Sequence, residues 1–210
     1  MKANNIFMML AIVALVFAAI NASIVLIKTP SFKKITGYAS SGYVNVTVDT
    51  QITINMTTDT VNWGAGTIDP GQDNATLKTN NGGTASVTGG NWSDEPGPTA
   101  LVVANIGSVN ASLTLKTEKN ATTFFAGGTL NSEYMWNITN KDAGSCNGGT
   151  EVLNAWRNVN KTVAGKFCSQ FGFFPANEIY INLLLTIPKD TTSTGLQSDT
   201  ITVTASTATS

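Results

Sequence analysis

The densest chemical motif in this chain is the triplet Asn-x-Ser/Thr. It occurs at Asn21, Asn45, Asn55, Asn74, Asn91, Asn110, Asn120, Asn137 and Asn160, never with Pro in the middle. Such triplets accept N-linked glycans on exposed, exported surfaces. A chain this rich in Asn and Thr also makes them by chance, about four or five times for 22 Asn. Asn21 falls in an apolar run, so eight remain as glycan acceptors.

Other chemistry is sparse. The chain has no His, which removes the commonest general base and transition-metal ligand. The carboxylates of Asp69-Pro70-Gly71-Gln72-Asp73, and of Asp94 with Glu95, are too few for the six to eight oxygens that calcium takes. The first stretch reads as an Asp-Pro-Gly turn. No Ser-His pair, nucleophile elbow, P-loop or dinucleotide-binding glycine run is present. No catalytic residue, metal site or cofactor is therefore expected. A facing carboxylate pair of the glycosidase kind cannot be read from spacing alone. Trp63, Trp92, Trp136 and Trp156 suit core or interface packing better than a sugar-stacking platform. Cys146 and Cys168 are too few for a structural zinc site without His. In an oxidising compartment they form one disulfide; in a reducing one they stay buried thiols.

These residues need a scaffold, and composition points to β-structure. The 210 residues include 31 Thr and 22 Asn but only 12% charged residues, about half the usual share. Thr suits strands and Asn suits turns. Alternation of apolar and polar residues marks Tyr43–Val48 and Gln51–Met56 as strands with one buried face. Ala75–Thr79, Ala85–Thr88, Leu101–Ile106, Ala111–Thr117, Tyr134–Thr139, Ile179–Ile187 and Asp199–Ala205 follow, separated by Gly, Asn and Pro turns. Glu151–Arg157 reads as a short helix between the two Cys. The expected fold is mainly β: an N-terminal hydrophobic α-helix with its linker over 1–36, then an antiparallel β-sandwich, Ig-like or jelly-roll, over 37–210.

Charge is uneven. Lys2, Lys28, Lys33 and Lys34 flank the apolar run, while from Ile35 onward eight basic residues face thirteen acidic ones. An acidic body argues against a nucleic-acid partner.

The run itself, IFMMLAIVALVFAAINASIVLI over 6–27, carries no charge. As a helix it is about 33 Å long, close to a bilayer's hydrocarbon core. It is long for a signal peptide and lacks a clean cleavage site. As a permanent anchor it has the length, but its downstream lysines oppose the positive-inside rule. As the core of a polymer it offers close-approach positions at Ala14, Ala18 and Ala22, with Ile6, Leu10, Val13, Phe17 and Ile27 as apolar packing residues.

The stretch FMMLAIVALVFAAINASIVLIKTPSFKKITG resembles the helical stem of archaeal type IV filament subunits, the archaellins and adhesive pilins. VNWGAGTIDPG, TGGNW, LVVANIGSVNASLTLKTEKNAT, KDAGSC and SDTITVTA resemble surface proteins of small-genome archaea. The filament family's precursors carry a basic leader ending in Gly or Ala; here Met1-Lys2-Ala3 precedes Asn4, so either a very short leader is cut after Ala3, or no leader is processed, or the gene product begins differently. The resemblance implies a subunit of an extracellular, cell-surface filament that polymerises with itself through the helix. Its β-domain would lie outside, with covalent glycans and a membrane stage before assembly. The alternative is a membrane-anchored surface-layer or adhesin protein.

Overall fold

A computed structural model describes residues 8–17, 49–81, 83–92, 99–128, 130–147 and 153–208. The chain divides into two compact units, Met1–Thr47 and Val48–Ser210. In the first, residues 8–17 form helix α1. Tyr43–Val48, expected as a strand, lies outside the described residues.

The second unit is antiparallel β-structure. Its strands are β1 (Ile54–Thr58), β2 (Asn74–Asn80), β3 (Gly83–Thr88), β4 (Leu101–Asn105), β5 (Ala111–Thr117), β6 (Glu133–Asn140), β7 (Cys146–Asn147), β8 (Arg157–Asn158), β9 (Gly165–Phe171), β10 (Glu178–Pro188) and β11 (Ile201–Thr207). One-turn helix α2, Ala121–Phe124, precedes β6 and is capped by Asn120, whose side chain accepts from Thr123 N. That bond satisfies one of the free N–H groups of the first turn.

Among the described residues, seven strands form one sheet and four the other, in the order β11-β5-β9-β7. The long strand β10 organises the larger sheet. One edge of β10 pairs with β6 from Ile179 to Thr186. Its other edge is shared: Glu178–Ile181 pair with β4, and Leu184–Pro188 pair with β2. Asn182 and Leu183 sit at the fork between those two partners. From β4 onward successive strands alternate between the two sheets.

The period of two that marks strands also builds the core. Ile179, Ile181, Leu183 and Leu185 of β10 share one hydrophobic cluster with Leu113 and Leu115 of β5 and Phe167 and Phe171 of β9. Trp136 of β6 meets the Phe167 ring edge-on, centroids 5.6 Å apart. The two sheets therefore bury a common interior.

One expectation changes, and one strand is unforeseen. No helix forms over the described part of Glu151–Arg157; residues 153–154 turn and Arg157 enters β8. Asn154 N instead donates to the Ile138 carbonyl of β6, so the backbone is satisfied by the sheet and not by itself. The unforeseen strand is β9, which escaped recognition because bulges opposite Ala111–Leu113 and Leu113–Thr114 of β5 break its alternation.

Candidate functional site

Helix α1 carries apolar side chains on every side. Met8, Met9, Leu10, Ile12, Val13, Leu15, Val16 and Phe17 are each 52% to 73% exposed. Steps of 100° per residue spread these eight over about 220° of the helix surface, and Ala11 and Ala14 fill the remaining sector. Leu10, Val13, Ala14 and Phe17, at spacings of three and four, share one face; Ile6, Ala18, Ala22 and Ile27 lie outside the described residues. Among the described residues no helix is long and apolar enough to cross a membrane. A helix apolar all round has no stable place in water.

The cysteines meet. Cys146 in β7 and Cys168 in β9 form a disulfide with Cα atoms 5.8 Å apart, joining neighbouring strands of the four-stranded sheet. Both are buried.

The sequons scatter over the body. Asn55, Asn110 and Asn160 are exposed, while Asn74 and Asn120 are half-buried. Asn120 is committed to its cap. Asn91 is exposed, and its Oδ1 accepts from Thr67 N at 2.6 Å. Asn45 lies outside the described residues. Asn137 is only 7% exposed, and its Oδ1 accepts from Asn182 Nδ2. A glycan on Asn137 conflicts with that burial.

The four tryptophans are apart in role. Trp63 and Trp136 are buried in the core. Trp92 packs on Gly66 and Gly90, where an added Cβ would come within 2.4 Å and 2.6 Å of its ring; this explains the second glycine of each of VNWGAG and TGGNW. Trp156 borders a cavity. The DPGQD stretch is a turn, with Gln72 N donating to the Asp69 carbonyl and Asp73 paired with Lys189. Asp94 and Glu95 lie outside the described residues. Among the described residues no group of three Cys, Asp or Glu converges as a metal site would.

Sequence reading did not find the fork at Asn182. It lies on the face of the larger sheet that points away from the shared core, yet Asn182 is 1% exposed. Its Nδ2 donates to Asn81 Oδ1 at 2.8 Å and Asn137 Oδ1 at 2.9 Å, and its Oδ1 accepts from Asn81 N at 2.7 Å. Thr139 Oγ1 donates to Asn81 Oδ1 at 2.8 Å. Where the ladder is interrupted, Leu183 N donates to Thr79 Oγ1. Buried polar groups need such partners, because each unpaired one costs about 1–3 kcal/mol. Asn81 and Asn154 adopt left-handed backbone, φ 35° and 66°, a conformation that Asn tolerates better than most residues. Beside this network is a cavity of about 210 Å³, bordered also by Lys78 and Trp156. The Lys78 ammonium sits 5.3 Å from the Trp156 ring centroid, within cation–π range.

A second polar pair is buried Tyr134 with half-buried Asp199. Burial first, then the Asp199 charge, pushes the Tyr134 phenol far above its ordinary range. Burial raises the Asp199 carboxyl as well, against the opposing hydrogen bonds it accepts; one of these comes from Lys119 N at 3.0 Å.

Fold and site together define a disulfide-bonded antiparallel β protein with an N-terminal helix described over residues 8–17. No family model, curated protein or solved structure matches the chain.

Proposed function

We propose that this chain is a structural subunit of an extracellular archaeal filament, polymerising with copies of itself through its N-terminal helix while the β body faces outward. One observation carries the reading: the ring of exposed apolar side chains on α1. Burying eight such side chains contributes on the order of 10 kcal/mol, comparable with the ~4–15 kcal/mol cost of association. A single partner covers one face and collects only part of that. Several neighbours, or lipid, are needed to cover all sides, and Ala14 on the Leu10–Val13–Phe17 face favours close helix approach.

The body suits an outer layer. It has its own core and disulfide, and its exposed sequons leave room for glycans. The strand-by-strand alternation between sheets from β4 onward supports a jelly-roll-like sandwich over an Ig-like one, because jelly rolls wrap the chain around both sheets. Helix burial in lipid instead corresponds to a membrane-anchored surface protein or adhesin.

Shearing of cells tests the choice. A filament subunit leaves with the sheared, sedimentable polymer, whereas a membrane-anchored protein stays with the membrane fraction.

A further inference from the structure

We infer that Asn147 is a site of spontaneous deamidation and that the fork at Asn182 shields Asn81 from the same reaction. The chain has two Asn-Gly pairs, Asn81-Gly82 and Asn147-Gly148. Glycine has no side chain to hinder its backbone nitrogen, so this pairing is the one most open to attack on the asparagine amide. The nitrogen loses its proton to solvent base and bonds to the asparagine Cγ. The Cγ–Nδ2 bond breaks, and the Nδ2 group takes a proton from water and leaves as ammonia. Water then opens the succinimide ring at either carbonyl, giving aspartate or isoaspartate. The net change is one amide and one water to one carboxylate and one ammonium, with no oxidant and no catalyst.

Both asparagines are exposed, so solvent reaches both; what differs is their hydrogen bonding. The Asn81 Oδ1 accepts from Asn182 Nδ2 and from Thr139 Oγ1, each at 2.8 Å. Its backbone N–H donates to Asn182 Oδ1 at 2.7 Å. Asn182 and Thr139 are themselves buried. Swinging the Asn81 Cγ onto the next nitrogen breaks both bonds to Oδ1 and leaves those buried donors short of an acceptor, which raises the barrier. Asn147 is held less firmly. Among the described residues its carboxamide makes one hydrogen bond, from Nδ2 to the nearby Gly144 carbonyl at 2.7 Å. It ends the two-residue strand β7. Conversion there adds a negative charge to an already acidic body, next in sequence to disulfide-bonded Cys146. Isoaspartate also lengthens the main chain by one methylene where β7 pairs with β9. The inference is independent of α1, so it stands whether or not the chain polymerises.

Timed incubation of the full chain in mildly alkaline buffer tests the inference. Peptide mass spectrometry reads each conversion as an amide exchanged for a carboxylate, and chromatography resolves isoaspartate from aspartate. The expected result is conversion at Asn147 at least tenfold faster than at Asn81. Asn182→Ala and the milder Thr139→Val, each checked by thermal melting to be folded, should speed conversion at Asn81 at least threefold and leave Asn147 unchanged. Equal rates at Asn81 and Asn147 overturn the protection, and so does an unchanged Asn81 rate in the folded variants. An Asn147 that stays intact, under conditions that convert a short peptide carrying Asn147-Gly148-Gly149-Thr150, overturns the site.

Discussion

Asn182 and Asn137 face each other across β10 and β6, and the Asn182 amide donates to the Asn137 carbonyl oxygen at 2.9 Å on the side of the sheet away from the core. The same Asn182 side chain also holds the Asn81 turn in place. Replacing Asn182 by Ala strands the Asn81 N–H and leaves two amide oxygens short of a donor. We expect a loss of about 1–3 kcal/mol, measured by urea unfolding. Asn182→Asp keeps the shape but buries a charge, and should cost more than Asn182→Ala. If packing alone mattered, Asp would be the milder change.

Reduction of the disulfide should leave the strands formed but shift the unfolding midpoint. Cys146 and Cys168 are 22 residues apart, a loop length that corresponds to about 3 kcal/mol of unfolded-state entropy. The double variant Cys146→Ala/Cys168→Ala, compared with wild type by chemical denaturation, gives the value directly.

Asp199 ties stability to pH. Its folded-state pKa is raised by burial, so folding binds a proton. The stabilisation is fully present below the ordinary carboxylate value of about 3.9 and is lost as pH rises through the raised folded value. Asp199→Asn keeps an oxygen to accept from Lys119 N. It should raise stability at neutral pH and flatten the dependence across that window. Thermal melts of the two proteins from pH 3 to pH 7 check this.

Glycan occupancy should follow exposure. Glycopeptide mass spectrometry is expected to find sugar at Asn55, Asn110 or Asn160 and none at Asn137, whose side chain is held by Asn182. Asn110→Gln, at an exposed position, should change electrophoretic mobility without moving the melting temperature, while Asn137→Gln should lower it. An occupied Asn137 would mean that the fork opens in the native protein.

Much of the body was readable from alternation, because each of its longer strands has one face in the core. Ala111–Thr117 was delimited to the residue as β5, and Ala75–Thr79 and Tyr134–Thr139 fell within β2 and β6. β7 and β8 are two residues each, too short to carry a period. Glu151–Arg157 looked helical because Val152, Leu153 and Trp156 recur at helical spacing, but Leu153 and Trp156 are only half-buried and the sheet edge takes the backbone bonds. The fork was hidden for another reason. Its one local sign is a lone Asn in the apolar run Ile179–Ile187, and its partners Asn137 and Asn81 lie 45 and 101 residues away. Only the pairing of β10 with β6 and β2 brings them together.

The most direct test of assembly through the helix is electron microscopy of the purified protein beside a Leu10→Asp variant. Leu10 is 60% exposed and apolar, and a charge there is costly to bury in any packed helix core. Assembly through α1 predicts filaments from the wild type, with each helix touching several copies of itself. It predicts none from Leu10→Asp, whose β body should melt at the wild-type temperature. A wild-type protein that remains a detergent-solubilised monomer with lipid around its helix, or filaments that persist in Leu10→Asp, would contradict it.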